Sequence, residues 1–515
     1  PPGGPGRLGG PGRLDGGPGP GLADGRWHRL HPATPLLRGG VALVALAGVI
    51  VVQLRDSLID AVLGGRRRRP AADGEEPVRW LLDHGALPLV LLGALGLVLL
   101  LVAGYWLSWR TRAFRVTEQV VELRSGVLSR RSRRGRLDRV QGIGVERPLL
   151  ARLLGTARLE IDVAGQNADV RLDYLSARAA EQLRRDILLL ASGARAAGAS
   201  GALAAGGAGA DAGLPDAAPE SLVAMHPVRL AGSIVLSLPM LGILLATVGP
   251  ALLFRDAPLV AAAAVLPGTL AVASFAVRRF IRSMRYTIAA TGDGIRIGYG
   301  LLATSSETLP PGRIHAVEVS QPLAWRPFGW WRLRIDRASS SRGGGEVQAS
   351  TTLLPVGDRD DVRRVLGLVF PGAAVEAIDA GLVGSGATPV RAGLAFTVSP
   401  PRARALRWLS VRRNGLARAG DLVLLRTGAV LRSLVVVPLA RVQGVSAAQG
   451  PLERALRLGG LRLHTVPGPV VARLGALDVR DAERLLAELA AATVRAAASD
   501  GAHRWRSAGQ DDGDG

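Results

Sequence analysis

Apolar residues along this chain follow two rhythms. Four stretches are apolar almost throughout: 36–54 (LLRGGVALVALAGVIVVQL), 85–107 (GALPLVLLGALGLVLLLVAGYWL), 230–254 (LAGSIVLSLPMLGILLATVGPALLF) and 257–277 (APLVAAAAVLPGTLAVASFAV). A helix crosses a bilayer core with about 20 apolar residues. Runs with no polar stripe have no face for water, so the pattern predicts four transmembrane helices paired into two hairpins. Arg38 sits near the start of the first run, where it can snorkel. Tyr105, Trp106 and Trp109 close the second run as an interfacial belt would. Elsewhere the rhythm has period two. VVELRSGVL, GIRIGYGLL and LVLLRTGAV read as short strands with a glycine at one fixed place, which suits a turn or bulge needing positive φ.

Those strands belong to a repeat. Adding 174 to a position in the first copy reaches the second, and adding 302 reaches the third. Gly126 thereby maps to Gly300 and Gly428, Arg139 to Arg313 and Arg441, and Arg152 to Arg326 and Arg454. Apolar positions stay apolar under the same shift: Val140 becomes Ile314 and Val442. Each copy closes with an amphipathic helix that a polar residue can cap: Ser176, Asp358 or Asp478. The core stripes are Leu183, Ile187 and Leu190, then Val362, Leu366 and Val369, then Leu485, Leu486 and Leu489. Several antiparallel strands followed by one helix make a small β-barrel or sandwich plugged by that helix.

The predicted architecture is a mixed membrane protein, with two transmembrane hairpins and three small β-domains each closed by a C-terminal helix. Its segments are a Gly/Pro-rich N-terminus (1–27), a first hairpin (28–109), domain 1 (110–192), an Ala/Gly linker (193–222) and a second hairpin (223–279). Domain 2 (280–371), a linker (372–404), domain 3 (405–499) and a tail (500–515) complete it. Arg110, Arg112 and Arg115 follow the first hairpin, and Arg278, Arg279, Arg282 and Arg285 the second. The positive-inside rule then places the β-domains in the cytoplasm of a multi-pass cell-membrane protein. Arg66 to Arg69, in the loop between the first two runs, pull against that orientation.

Each hairpin is introduced by a His-Pro pair, His31 with Pro32 and His226 with Pro227. Each is followed by the strand–Gly–strand unit, then by an arginine with aliphatic residues one and four places on, and then by the second repeated arginine. This combination resembles the bacterial pleckstrin-homology (PH) membrane proteins, the YdbT-like group, over about 28–192 and 223–371, with a third domain at 405–492 lacking hairpin and His-Pro. The resemblance implies PH-like β-barrels capped by a C-terminal helix, membrane location and no enzymatic activity. It also implies that the repeated His, Pro, Gly and Arg are family-motif positions, read here as structural.

The formal net charge is +22, and every basic residue is arginine. A lysine-free chain rich in Ala, Gly and Arg carries the mark of a GC-rich genome, so the charge is weak evidence for nucleic-acid binding, and none is expected. No cysteine is present, which excludes disulfides and thiolate chemistry. The seven histidines (28, 31, 84, 226, 315, 464 and 503) form no metal-ligand spacing, and no phosphate loop or nucleophile motif occurs, so neither cofactor, metal nor catalytic residue is expected. The one charge run is SRRSRRGR, holding Arg130, Arg131, Arg133, Arg134 and Arg136. Beside a bilayer it would meet anionic headgroups at about 1 kcal/mol per arginine; a solvated loop is the alternative. The expected roles are a non-catalytic membrane-anchored scaffold, binding protein partners or itself, or an anionic-lipid sensor. Nucleic-acid binding and transport rank below both.

Overall fold

The computed structural model describes residues 22–32, 34, 87–126, 131–164, 169–191, 222–253, 256–291, 294–310, 312–337, 351–370, 374–383 and 394–499. Each repeat builds two half-sheets. In the first repeat these are β1 (His28–Arg29), β2 (Ala113–Val116), β3 (Val120–Ser125) and β4 (Arg131–Arg136), then β5 (Val140–Arg147), β6 (Thr156–Val163) and β7 (Val170–Ser176). The second has β8 (Val223–Ala224), β9 (Thr287–Thr291), β10 (Gly294–Tyr299) and β11 (Thr304–Leu309), then β12 (Ala316–Pro322), β13 (Trp331–Asp336) and β14 (Thr352–Gly357). The third has β15 (Thr397–Val398), β16 (Gly415–Ala419), β17 (Leu422–Thr427) and β18 (Leu431–Pro438), then β19 (Gly444–Ala448), β20 (Leu458–His464) and β21 (Arg473–Asp478).

The half-sheets are not shared out one domain at a time. One seven-stranded sheet runs β7-β6-β5-β11-β10-β9-β8, and another β14-β13-β12-β18-β17-β16-β15. The second half of one repeat therefore continues, edge to edge, into the first half of the next. A four-stranded sheet (β1-β2-β3-β4) and a three-stranded sheet (β19-β20-β21) are left at the two ends. β1 and β8 precede the segments read as hairpins yet pair with β2 and β9 beyond them, so each hairpin is an insertion within a β-unit.

Helices close the units as their sequences predict. Long helices in chain order are α1 (Leu87–Arg110), α2 (Ala177–Ala191), α3 (Pro227–Val235), α4 (Leu238–Leu253), α5 (Pro258–Ser283), α6 (Arg359–Val369), α7 (Ala374–Val383) and α8 (Val479–Ser499). Ser176, Asp358 and Asp478 accept backbone N–H bonds at the starts of α2, α6 and α8, at 3.2, 2.8 and 3.0 Å. Leu183 and Ile187, Val362 and Leu366, and Leu485 and Leu489 are buried in three cores. The second core also takes in Leu424, Leu434 and Val436 of the third repeat, as a sheet shared between repeats requires.

Of the four expected spans, 85–107 falls largely within α1 and 257–277 within α5. The run 36–54 lies outside the described residues, as do Arg66 to Arg69. The run 230–254 is broken at Leu236–Ser237 into α3 and α4. The physical cause is packing: α3 buries Leu230 and Ile234 against Trp325 and Val356 of the second repeat. Gly232 admits Trp330 so closely that a Cβ there would lie 2.7 Å from the indole. Arg229 adds ion pairs to Asp358 and Asp361 at 3.2 and 2.7 Å. Among the described residues no single helix is long and apolar enough to cross a membrane. One bent pair, Pro227–Val235 with Leu238–Ala246 at 51°, meets the length and composition together.

Candidate functional site

Two of the repeated arginines, Arg313 and Arg326, reach from one repeat to another, and the repeated glycines shape turns. Gly126, Gly300 and Gly428 all hold positive φ, at 123°, 106° and 81°. A Cβ on Gly300 or Gly428 would run into the carbonyl of Ala303 or Leu431 in its own turn. Arg326 reaches across from the second repeat to the turn after Gly428, donating to the carbonyls of Ala429 and Val430. Arg313 likewise reaches back to the first repeat, donating to the Asp138 carbonyl at 2.9 Å. Arg139 and Arg441 end short 3-10 turns, Leu137–Arg139 and Leu439–Arg441. Burial, followed by the charges of Arg441 and Arg313, drives the His315 pKa down to about 4. Arg152 and Arg454 are exposed, and their side chains make no hydrogen bond among the described residues. His226 is exposed at the start of α3 with Pro227 as its first residue, while half-buried His31 has its pKa lowered by burial. The two His-Pro pairs belong to different repeats and do not form one site.

At the first junction β11 runs antiparallel to β5, with Thr308 opposite Ile143 and Ser306 opposite Val145. A buried cation fastens it from both sides. Arg337, past the end of β13, pairs with Asp162 of the first repeat at 3.0 Å and with Glu307 of the second. Gly142 makes room, since a Cβ there would stand 3.2 Å from the Arg337 guanidinium. Burial pushes the Asp162 carboxyl up to about 6 even against the pull of Arg337. Arg184 donates to Thr308 at 3.0 Å, and Glu181 takes Arg296 of the second repeat at 3.0 Å.

The second junction uses different chemistry on the same plan. β18 pairs with β12, placing Val436 opposite Val317 and Leu434 opposite Val319. The Ser433 hydroxyl donates to Glu318 at 2.8 Å, and Asp336 accepts the Val470 N–H of the third repeat at 2.9 Å. Burial raises the Asp336 pKa to about 7. Neither these junction residues nor their pairing follows from sequence alternation, which marks faces but not neighbours.

Beside the first junction lies a cavity of about 270 Å³ whose wall includes Arg147, Arg285 and Arg296 with Glu181, Thr287 and Ser305. Three guanidiniums against one carboxylate suit an anion. Arg285 comes two residues after the end of α5, so this cavity opens at the root of the helical insertion. The arginine run expected to meet headgroups is strand β4, at a sheet edge. Arg134 and Arg136 are paired with Glu122 and Asp138 at 2.7 and 2.9 Å, and Arg131 and Arg133 are exposed. Arg130 lies outside the described residues. Among the described residues no group of three or more His, Asp or Glu could hold a metal ion.

The family model described as Bacterial PH domain matches the chain three times, at 43–191, 234–370 and 377–493. No curated protein and no solved structure matches.

Proposed function

The chain belongs to the bacterial PH domain family, and on that footing we propose that it is a non-catalytic, membrane-associated scaffold of the YdbT-like kind. The observation that carries this reading is the pair of edge-to-edge junctions, which join three β-units through continuous backbone pairing. Such a frame holds surfaces at fixed spacing, and buried Asp162, Glu307, Arg337 and Glu318 lie at its joints.

Membrane association is supported by the helical insertions. Leu99, Leu100 and Trp106 on α1, Leu245 and Leu252 on α4, and Leu266 and Leu270 on α5 are exposed. Each such side chain gains roughly 1.5–3 kcal/mol on leaving water, and lipid is the surrounding that supplies it. Arg110 stacks 5.4 Å from the Trp106 ring at the end of α1, an arrangement suited to an interface. The arginines after α1 and α5 favour a cytoplasmic frame. Alkaline carbonate extraction of membranes carrying the full chain tests this: the chain is expected in the pellet, and release to the supernatant would reject membrane integration.

A second reading, contact with anionic headgroups, is favoured by the cavity of Arg147, Arg285 and Arg296 and by the exposed arginines of β4. Native mass spectrometry of the full chain in detergent would compare phosphatidylglycerol with phosphatidylcholine. Retention of phosphatidylglycerol should fall on Arg147→Gln with Arg285→Gln. Equal retention of both lipids by the natural chain contradicts the reading.

A further inference from the structure

Among the strands that edge the four sheets, β4 and β19 are the two halves of a junction the chain makes twice elsewhere. Among the described residues β4 is bonded only to β3, and β19 only to β20. β4 closes a first half-sheet, as β11 and β18 do; β19 opens a second half-sheet, as β5 and β12 do. β11 finds β5, and β18 finds β12. We infer that β19 of one chain adds antiparallel to β4 of a second copy, so that the protein assembles head to tail.

The register is dictated by the internal junctions, which share one alignment. Ile143 faces Thr308 at the first, and their equivalents one repeat on, Val317 and Val436, face each other at the second. Val145 faces Ser306, and Val319 faces Leu434 likewise. Carried forward by the same offset, Val445 faces Arg134 of the next copy, Ala447 faces its Ser132, and Ala448 faces its Arg131. Both strands are already formed over this stretch, Gly444–Ala448 and Arg131–Arg136.

Charge selects the pairing. Arginines along an open edge discourage indiscriminate strand addition, and like charges set opposite them are unfavourable. β19 reads GVSAA, small and uncharged. Beside it, on α8, exposed Glu483 is the repeat equivalent of Glu181, the acid that binds Arg296 at the first junction. Arg296 sits across from Thr308, and the equivalent cross-strand pair in the first repeat is Glu122 with Arg134. The residue equivalent to Arg296 is thus Glu122, and Arg134, paired with Glu122 at 2.7 Å yet two-thirds exposed, is the cation placed to bridge it to Glu483 of the preceding copy. The two surfaces differ, so the contact is heterologous and propagates as a ring or an open filament. This inference deepens the scaffold reading by naming its partner, a second copy, and does not depend on membrane insertion.

The absence of cysteine makes the test direct. Ser132→Cys and Ala447→Cys, both at exposed positions, are placed in one full-length chain in detergent under mild oxidation. Opposed residues of an antiparallel pair have Cα atoms about 4.5–5.5 Å apart, within disulfide reach. A reducible ladder extending past the dimer is expected. Its yield should be about ten-fold above that of Ser132→Cys with Ser446→Cys, because a one-residue slip turns the side chains to opposite faces. Glu483→Arg should lower the yield. The inference is overturned by no product beyond a dimer, by equal yield from the slipped pair, by an intrachain disulfide alone, or by a ladder that phosphatidylglycerol abolishes, which would assign β4 to lipid. Carbonate release would reject membrane integration while leaving this result intact.

Discussion

Replacing Arg337 by leucine would expose how the first junction is held. The guanidinium is 4% exposed and stands between two carboxylates from different repeats, Asp162 and Glu307, themselves 6% and 7% exposed. Removing it leaves two buried anions with no cation between them. Breaking a buried pair from one side costs about 3–5 kcal/mol, and for a large domain each kcal/mol lowers the midpoint by about 2–4 °C. Arg337→Leu should therefore lower the thermal midpoint on the order of 10 °C at about pH 7.5. Tryptophan fluorescence of the full chain in detergent reads it. The deficit should shrink on acidification, because Asp162, already raised to about 6 by burial, takes up a proton and stops being an uncompensated charge. Adding Asp162→Asn and Glu307→Gln should recover most of the loss. A loss below about 1 kcal/mol, or one indifferent to pH, would refute the assignment of Arg337 as the clamp.

Other consequences follow from the same contacts. Gly300→Ala forces a side chain into a turn at φ 106° and against the Ala303 carbonyl, and should cost about 1–3 kcal/mol by denaturant titration. Asp358→Ala removes the cap of α6 and one partner of Arg229, for about 1–2 kcal/mol in the same assay. Asp162 and Asp336, raised to about 6 and about 7, bind protons more tightly folded than unfolded. Their stabilisation is complete below about pH 4 and is lost as pH rises through 6 to 7, so the thermal midpoint should fall across that window. Glu181 and Asp358, whose values are lowered, act in the opposite sense and withdraw support at lower pH.

Much of the β-unit was legible in the chain because local rules decide it. A glycine at one fixed place, a capping residue before an amphipathic stripe and a constant offset led to Gly300, Asp358 and the three cores. What local pattern could not convey was which strand edge lies beside which. β11, TSSETL, carries no apolar alternation, and nothing in it announces β5 as its neighbour. β4 offers no apolar alternation by which a strand could be told from a charged loop: five of its six residues are exposed and only Gly135 is buried. The break in 230–254 was hidden for a related reason: Leu230 and Ile234 are equally apolar whether they face lipid or Trp325. Nor does the repeat pattern tell that Arg313 and Arg326 each bond to a neighbouring repeat.

Hydrogen–deuterium exchange on the full chain in detergent tests the central claim, that the repeats form continuous sheets. If β5 pairs with β11 and β12 with β18, all four are interior strands. Their amides should exchange as slowly as those of β10 and β17, while β4 and β19 exchange fast at low protein concentration and slow as copies assemble. Fast exchange throughout β5, β11, β12 and β18, at the rate of β4, would mean three separate domains and would contradict the account.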